Sequence, residues 1–224
     1  MQNGLKLYLV RHGESANNAL PDAQRVNDPL LTERGQQQAQ LLGERFHQKA
    51  TGELEPDLLL TSAFTRTIQT LRPMATLLAK KPQIWTELYE VGGCYDGHLP
   101  GQMIGAPGLS RSQLQERYPE YIIPDDIDDN GWFRLENAET HAQAAVRAEQ
   151  QAERLLETFY GQDIVVLCLI HADFKNLLLQ QFLPDQERLQ LANTSVTLLH
   201  FEEKVPSVVA INDTQHLSAE LISY

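Results

Sequence analysis

Two histidines and two arginines in this chain each stand at or just beyond the end of a short apolar run, and their side chains suit phosphoryl transfer. Arg11-His12-Gly13-Glu14-Ser15 follows the apolar residues 5–10, Arg66 comes shortly after Leu58-Leu59-Leu60, and His171 closes the run 164–170. A phosphoryl group in flight carries negative charge on its equatorial oxygens, and a guanidinium offers a rigid fork of donors matched to them. Arg11 and Arg66 fit that task. A neutral imidazole is a competent nucleophile near neutral pH, so His12 is the candidate to attack phosphorus while His171 donates a hydrogen bond to the oxyanion. Ser15 opens a segment whose backbone amides can join the cradle, Asn18 can add a side-chain amide, and Gly13 permits close backbone approach. A leaving alkoxide also needs a proton from a carboxylic acid of raised pKa. Glu90, just ahead of Gly92-Gly93, is the candidate acid, with Asp96 and Glu14 as alternatives.

These groups can meet only if the runs before them are strands ending at one rim, since ligands of open α/β sheets bind beyond the carboxyl ends of the strands. Residues 5–10 read as such a strand. Thr32 in the N-cap position, then Ala39, Leu42 and Phe46 at helical spacing, predict a helix over 33–48. Residues 58–60 predict a second strand and Thr61-Ser62 a helix start. Phe64, Ile68, Leu71, Ala75 and Leu78 mark one face of that helix, with a kink at Pro73. Residues 164–170 read as a central strand covered on both faces, followed by a helix marked by Phe174, Leu177 and Leu178. Residues 195–201 and 206–211 predict an antiparallel hairpin at one sheet edge.

Between Glu90 and Asn137 the chain turns rich in Gly, Pro and Asp and reads as an insertion. Ser110 and Gln113 form a capping box for a short helix over 111–118, and a long helix over 141–160 follows, closed by Gly161. The sum is one α/β domain over residues 1–224: a three-layer α/β/α sandwich with a mainly parallel sheet, an antiparallel edge strand and a lid inserted at about 99–137. The lid is expected to lie over the site. Its Tyr118, Trp132 and Phe133 can either line the site or pack the lid onto the core, and packing is the favoured reading.

Leu9-Val10-Arg11-His12-Gly13-Glu14-Ser15 resembles the signature of the histidine phosphatase, or phosphoglycerate mutase-like, superfamily. Asn18, the stretch from Asp28-Pro29-Leu30 to Gly35 and Ala39, the segment from Thr61-Ser62 to Arg66, the loop from Glu90 to Gly97 and the strand ending at His171 extend the likeness over roughly residues 5–212. The resemblance implies a phosphomonoester hydrolase acting through a phosphohistidine at His12. It assigns the phosphate to Arg11, Arg66 and His171, with Asn18 and Ser15 beside them, and favours Glu90 as the acid that then serves as base for water. Two departures stand out. Ala172-Asp173 replaces a common glycine and brings a carboxylate near the pocket, and the loop 19–27 lacks a glycine, with Arg25 as a substrate contact. Asn193 can reach the same rim or simply make a turn.

Composition narrows the field further. Lys plus Arg total 18 against 30 Asp plus Glu, giving a net charge of −12, which disfavours nucleic acid and anionic membranes as partners. No apolar stretch approaches the roughly 18 residues of a membrane span, the first residues lack signal-peptide architecture, and a cytoplasmic chain is expected. The two cysteines do not suggest a disulfide: Cys168 reads as core and Cys94 as an ordinary loop residue. Of the remaining histidines only His98, near the acid loop, invites interest. No cofactor or metal is expected, since paired arginines raise the cost of holding a cation and no histidine pair has ligand spacing. The acidic run 125–129 lacks the glycine and glutamate of a calcium loop. The rival readings are a cofactor-dependent phosphoglycerate mutase, whose Arg-His-Tyr element is missing from the loop 90–95, a metal-dependent hydrolase and a noncatalytic phosphoryl-ligand binder. The expected partner is a small phosphorylated metabolite such as a sugar phosphate, a phosphoglycolate-like acid or a nucleotide. Monomer and dimer are left equally open, with no heptad pattern in view.

Overall fold

A computed structural model of the chain describes residues 4–49, 52–97, 101–203 and 205–224; His98 and the first residues of the expected lid lie outside them. In chain order the elements are β1 (Leu5–Arg11), α1 (Ala16–Ala19), α2 (Glu33–Gln48), β2 (Leu58–Thr61), α3 (Thr65–Leu77), β3 (Gln83–Ile84), β4 (Tyr95–Asp96), β5 (Ile104–Gly105), α4 (Arg111–Arg117), α5 (His141–Phe159), β6 (Val165–Ile170), α6 (Ala172–Phe182), β7 (Val196–Phe201) and β8 (Ser207–Asp213). The main sheet runs β3-β2-β6-β1-β7-β8, and β4 pairs separately with β5.

Period-two alternation explains why the strands are apolar throughout. Leu5, Leu7 and Leu9 of β1, with Val166, Cys168 and Ile170 of β6, pack against α5 and α6. Tyr8 and Val10, with Leu167 and Leu169, point the other way into α2 and α3. Both faces are covered, which makes the three layers. β1, β6, β2 and β3 are parallel, while β7 runs against β1 and pairs with β8 as the expected hairpin at the sheet edge. The reversed strand is β7, with β8 outside it.

Local chemistry sets the helix limits. Thr32 accepts from the Gly35 amide to start α2, Thr140 accepts from Gln143 to start α5, and Ser110 with Gln113 closes the capping box of α4. The start of α3 differs from expectation: Thr61 is the last residue of β2, and the N-cap is Phe64. The orphan amide of Thr65 is instead met by Asp28, which accepts from the Thr65 amide at 2.9 Å and from its hydroxyl at 2.6 Å. A carboxylate supplied from another loop does the work a local serine was expected to do.

Gly13 and Gly35 fix how α2 meets the first loop. A Cβ on Gly13 would fall 2.7 Å from the Gly35 carbonyl oxygen, and one on Gly35 would fall 2.0 Å from the carbonyl of Glu14. The close approach at Gly13 is therefore to α2, not to a ligand as the sequence suggested.

Behind the sheet end, Arg45 of α2 bridges Glu53 and Asp213 at 2.7 Å each and donates to Nδ1 of His216 at 3.3 Å. His216 then donates from Nε2 to Thr194. Burial, reinforced by Arg45, lowers its pKa to about 4. The folded chain thus binds a proton here less readily than the unfolded chain, so stability is intact above pH 6.5 and falls as pH drops from there to about 4. His216→Gln is expected to flatten the decline of melting temperature over that interval in a pH series; an unchanged slope would remove His216 from the account.

Residues 101–137 pack as a second hydrophobic cluster. Trp132, Phe133, Tyr118 and Tyr121 are buried against Phe64, Ile68 and Tyr89. Trp132 meets Phe64 edge-on at 4.8 Å, and Phe133 does the same to Tyr89 at 5.5 Å. Gly93, at φ +73°, has no room for a side chain, since a Cβ would strike the Phe133 ring at 2.0 Å. The aromatics therefore prop the loop that carries Glu90.

Candidate active site

The register of the central strands brings the two histidines together. β1 and β6 are parallel with Arg11 opposite Ile170, and the His12 amide donates to the Ile170 carbonyl at 2.9 Å, so His12 and His171 leave adjacent strand ends side by side. Their rings are 5.1 Å apart. β2 lies on the other side of β6 with Thr61 opposite Leu169, which sets Ser62 and then Arg66 at the same rim.

Hydrogen-bond partners decide both tautomers. His12 Nδ1 lies 2.6 Å from the Gly13 carbonyl, which can only accept, so Nδ1 carries the proton. Its Nε2 is then the bare nitrogen, and it accepts from Arg66 Nε at 3.2 Å. A second Arg66 nitrogen lies 3.0 Å from His171 Nδ1, so that nitrogen accepts too. His171 Nε2 therefore donates to Ser62 Oγ at 2.8 Å. Ser62 Oγ donates to Thr67 Oγ1, whose hydroxyl donates to the Phe64 carbonyl. Both imidazoles are neutral: burial first, then Arg66, holds each pKa well below 6.5.

Arg66 sits between the two rings, with its guanidinium 3.9 Å above the face of Phe64. Arg11 donates to the Leu191 carbonyl at 2.6 Å, and burial lowers its pKa to about 10. Glu90 Oε1 accepts from the amides of Val91 and Phe174 at 2.9 Å each, and Oε2 from Asp173 at 3.3 Å. Two of these amides belong to the first turn of α6. Burial, and next the charge of Asp173, raises the Glu90 pKa above its usual carboxylate value despite those amides. A buried carboxyl that holds its proton is what an acid catalyst requires.

Arg11, His12, Arg66 and Glu90 line one cavity of about 370 Å³, joined by Ser15, Asn18 and Arg25. His171 does not line it: the ring is fully buried, and it meets the site through Arg66. In this state it accepts from Arg66 and donates away from the cavity, the reverse of the oxyanion donor read from sequence. The cradle also differs in its backbone. The amides of Ser15, Ala16 and Asn18 are engaged by Asn18 Oδ1, Leu30 and Ser15, so these positions offer side chains and not N–H groups. Arg25 pairs with Asp22 at 2.8 Å. Of the alternative acids, Glu14 is held by Thr32 and Arg34 beside a different pocket, and Asp96 is held by Asn27 outside the cavity lining.

Sequence reasoning missed several neighbours. Asn17, Asn27, Val91 and Tyr95 line the cavity, and none stands at a telling spacing. Asp173, flagged as a departure, does reach the wall, where Arg188 pairs with it. Asn193 makes no wall; it is fully buried and donates to the His12 carbonyl at 3.0 Å. Lys175 is fully buried and donates to the Ser195 carbonyl at 3.1 Å, with burial and then Arg11 driving its pKa well below 10.5. Cys94 is buried, and its thiol pKa is pushed up to about 12, as suits an inert residue. Tyr118, Trp132 and Phe133 are absent from the wall, as is every described residue of 101–137. Among the described residues no three His, Cys, Asp or Glu side chains gather as a metal site, and no helix is long and apolar enough to cross a membrane.

The arrangement agrees with what the chain matches. The family model described as histidine phosphatase superfamily (branch 1) covers residues 7–214, and the chain belongs to that superfamily. Phosphoserine phosphatase 1 of Hydrogenobacter thermophilus is 25% identical over 221 residues, covering 95% of this chain and 94% of that protein. An acid phosphatase of Mycobacterium tuberculosis is 24% identical over 218 residues, with 94% of each covered. A solved structure of a phosphoserine phosphatase mutant from Entamoeba histolytica, in complex with phosphoserine, shares the fold at a TM-score of 0.64 and 20% identity, over 96% of this chain and 100% of that one.

Proposed function

We propose that this chain hydrolyses small phosphomonoesters through a phosphohistidine on His12. The observation that carries the reading is the His12 tautomer: Nδ1 is tied to Gly13, so Nε2 bears the lone pair, which Arg66 Nε caps at 3.2 Å and releases to phosphorus as its guanidinium turns to the phosphate oxygens. In the first step Nε2 bonds to phosphorus as the ester P–O bond breaks, and Glu90 gives its proton to the departing oxygen. In the second the Glu90 carboxylate takes a proton from water, whose oxygen attacks phosphorus. The P–N bond then breaks and His12 returns to the neutral form. Arg11 and Arg66 neutralise the passing charge in both steps. His171, through its bond to Arg66, positions that guanidinium.

The cavity wall favours a small phosphorylated acid. Arg25 can turn from its exposed pair with Asp22 to a substrate carboxylate, and Asp173, beside its partner Arg188, can receive an ammonium group, which suits the phosphate ester of a hydroxy amino acid. The names of the phosphoserine phosphatase relatives support the same class. The reading requires no cofactor, and the cytoplasm is the compartment we propose for it. Its test is phosphate release from p-nitrophenyl phosphate and from a panel of phosphorylated metabolites, including mutase exchange, with a quenched turnover mapped by mass spectrometry. Label on any side chain other than His12 sinks it.

Glu90→Gln supplies a sharper test of the acid. In the pre-steady-state burst it is expected to slow transfer from an alkyl phosphate to His12 by about 10²–10⁴-fold and from p-nitrophenyl phosphate far less, because that leaving group departs without a proton, whereas the second step, with Glu90 as base, is common to both esters. In wild type burial carries the acid limb, where His12 protonates, well below pH 6.5, and carries the alkaline limb, where Glu90 ionises, to higher pH than an ordinary carboxylate would give. The burst of the variant should lose the alkaline limb; equal slowing of the burst for both esters would exclude Glu90 as the acid.

A further inference from the structure

The two peptide units that flank Gly13 are each held at both ends. In the unit joining His12 to Gly13, the carbonyl accepts from Asn193 Nδ2 at 3.0 Å and from the Thr194 amide at 3.2 Å, and the N–H donates to Thr70 Oγ1 at 3.0 Å. In the unit joining Gly13 to Glu14, the carbonyl takes the His12 Nδ1 proton, and the N–H donates to Gln38 Oε1 at 2.7 Å. The carbonyl that selects the His12 tautomer is thus aimed by Gln38.

Gln38 is itself aimed from the carboxy-terminal segment. Its Nε2 donates to the Leu221 carbonyl at 2.7 Å and to Ser223 Oγ at 2.9 Å. Ser223 Oγ donates in turn to Asn193 Oδ1 at 3.0 Å, and the Asn193 amide donates to the Ser223 carbonyl at 2.8 Å. Every donor and acceptor role is fixed, because an amide oxygen only accepts and an amide nitrogen only donates. The chain of bonds runs in one direction, Gln38 to Ser223 to Asn193 to the His12 carbonyl, and closes on the Glu14 amide. Gln38 and Asn193 are fully buried, so water does not replace a lost partner cheaply.

We infer that Gln38, Ser223 and Asn193 form a positioning ring through which the carboxy-terminal segment holds the nucleophile loop, so that His12 keeps its proton on Nδ1 and presents Nε2 to the substrate. None of the three touches the cavity. They act on the reaction through the main chain of residues 12–14, and the inference rests on the reading of His12 as nucleophile.

The experiment uses a pair of near-isosteric substitutions at half-buried Ser223. Ser223→Thr keeps the hydroxyl and Ser223→Val does not. The valine variant is expected to lose roughly tenfold to a hundredfold in kcat with KM unchanged, the threonine variant to stay within about twofold of wild type. Gln38→Glu, which keeps the acceptor for the Glu14 amide and loses the donor to Ser223, should behave as the valine variant does. Nitrogen-15 NMR of the histidine rings supplies a readout independent of turnover: wild type and Ser223→Thr show His12 protonated at Nδ1, and Ser223→Val shows a mixture of tautomers. A lower melting temperature in Ser223→Val and Gln38→Glu with kcat and tautomer unchanged would overturn the ring while leaving the phosphohistidine intact. Absence of a phosphohistidine in wild type would instead overturn the functional reading, and the tautomer measurement would still decide the ring.

Discussion

His12→Ala is expected to abolish turnover, with kcat/KM reduced by at least about 10⁴-fold. The methyl group leaves nothing within reach of phosphorus to take the phosphoryl group, since His171 is fully buried and forms no part of the cavity wall. The fold should survive. The main-chain bonds of residue 12 to Ile170, Asn193 and Thr194 do not involve the imidazole. Alanine also removes a buried polar ring whose proton had one specific acceptor, so stability is expected to change by no more than about 2 kcal/mol. Steady-state kinetics, calorimetry and mass spectrometry after quenching test all three statements at once: loss of activity, a melting transition that stays cooperative and within about 8 °C of wild type, and no covalent label. Turnover within tenfold of wild type would exclude His12 as the acceptor.

Arg66→Ala is expected to lower kcat/KM by about 10³–10⁵-fold, the range over which a charge-stabilising arginine acts in phosphoryl transfer. Arg66→Lys should recover little of it. One guanidinium reaches His12 from Nε and His171 from a second nitrogen, and a single ammonium cannot span both. The pH profile should move as well. After burial, Arg66 is the next influence lowering the pKa of each histidine, so its removal raises both. Protonated His12 is no nucleophile, and the acid limb of the rate profile therefore shifts to higher pH in Arg66→Ala. A profile that falls in amplitude without that shift would show that Arg66 does not act on the histidines electrostatically.

The parts of this architecture with local causes could be read from the residues themselves. Thr32 and Gly161 bounded their helices because a cap satisfies its own neighbours. The apolar run ending at His171 read as a doubly covered strand because both of its faces are in fact buried. What failed had a distant cause. Thr61-Ser62 offered good capping chemistry, yet the α3 amide took its acceptor from Asp28, and Ser62 turned instead to His171. The strands β3, β4 and β5 are two residues each and exist only through their partners.

The candidate site divides in the same way. Arg11, His12 and Arg66 were legible because strand ends and charge types point to them, Glu90 was preferred to Asp96 and Glu14 through the family resemblance, and all four line one cavity. His171 was legible as a member but not in its orientation, which depends on Ser62 of the turn after β2 and Arg66 of α3 meeting its two ring nitrogens. Gln38, Thr70, Asn193 and Ser223 could not be picked out as a set. A glutamine, a threonine, an asparagine and a serine carry no mark of catalysis until the folded chain brings them to the same two peptide units.

The aromatic cluster of residues 101–137 contributes no wall to the cavity, yet Phe133 fills the space under Gly93 and so supports the arm that bears Glu90. Selection for a new ester and selection for heat resistance therefore draw on separate pools of residues. Swapping one bulky ring for another in that buttress should alter how firmly the acid is presented, and so weigh most on esters whose departing oxygen needs a proton, while the ranking among esters of like leaving group is written in the short strips around Arg25, Tyr95 and Asp173.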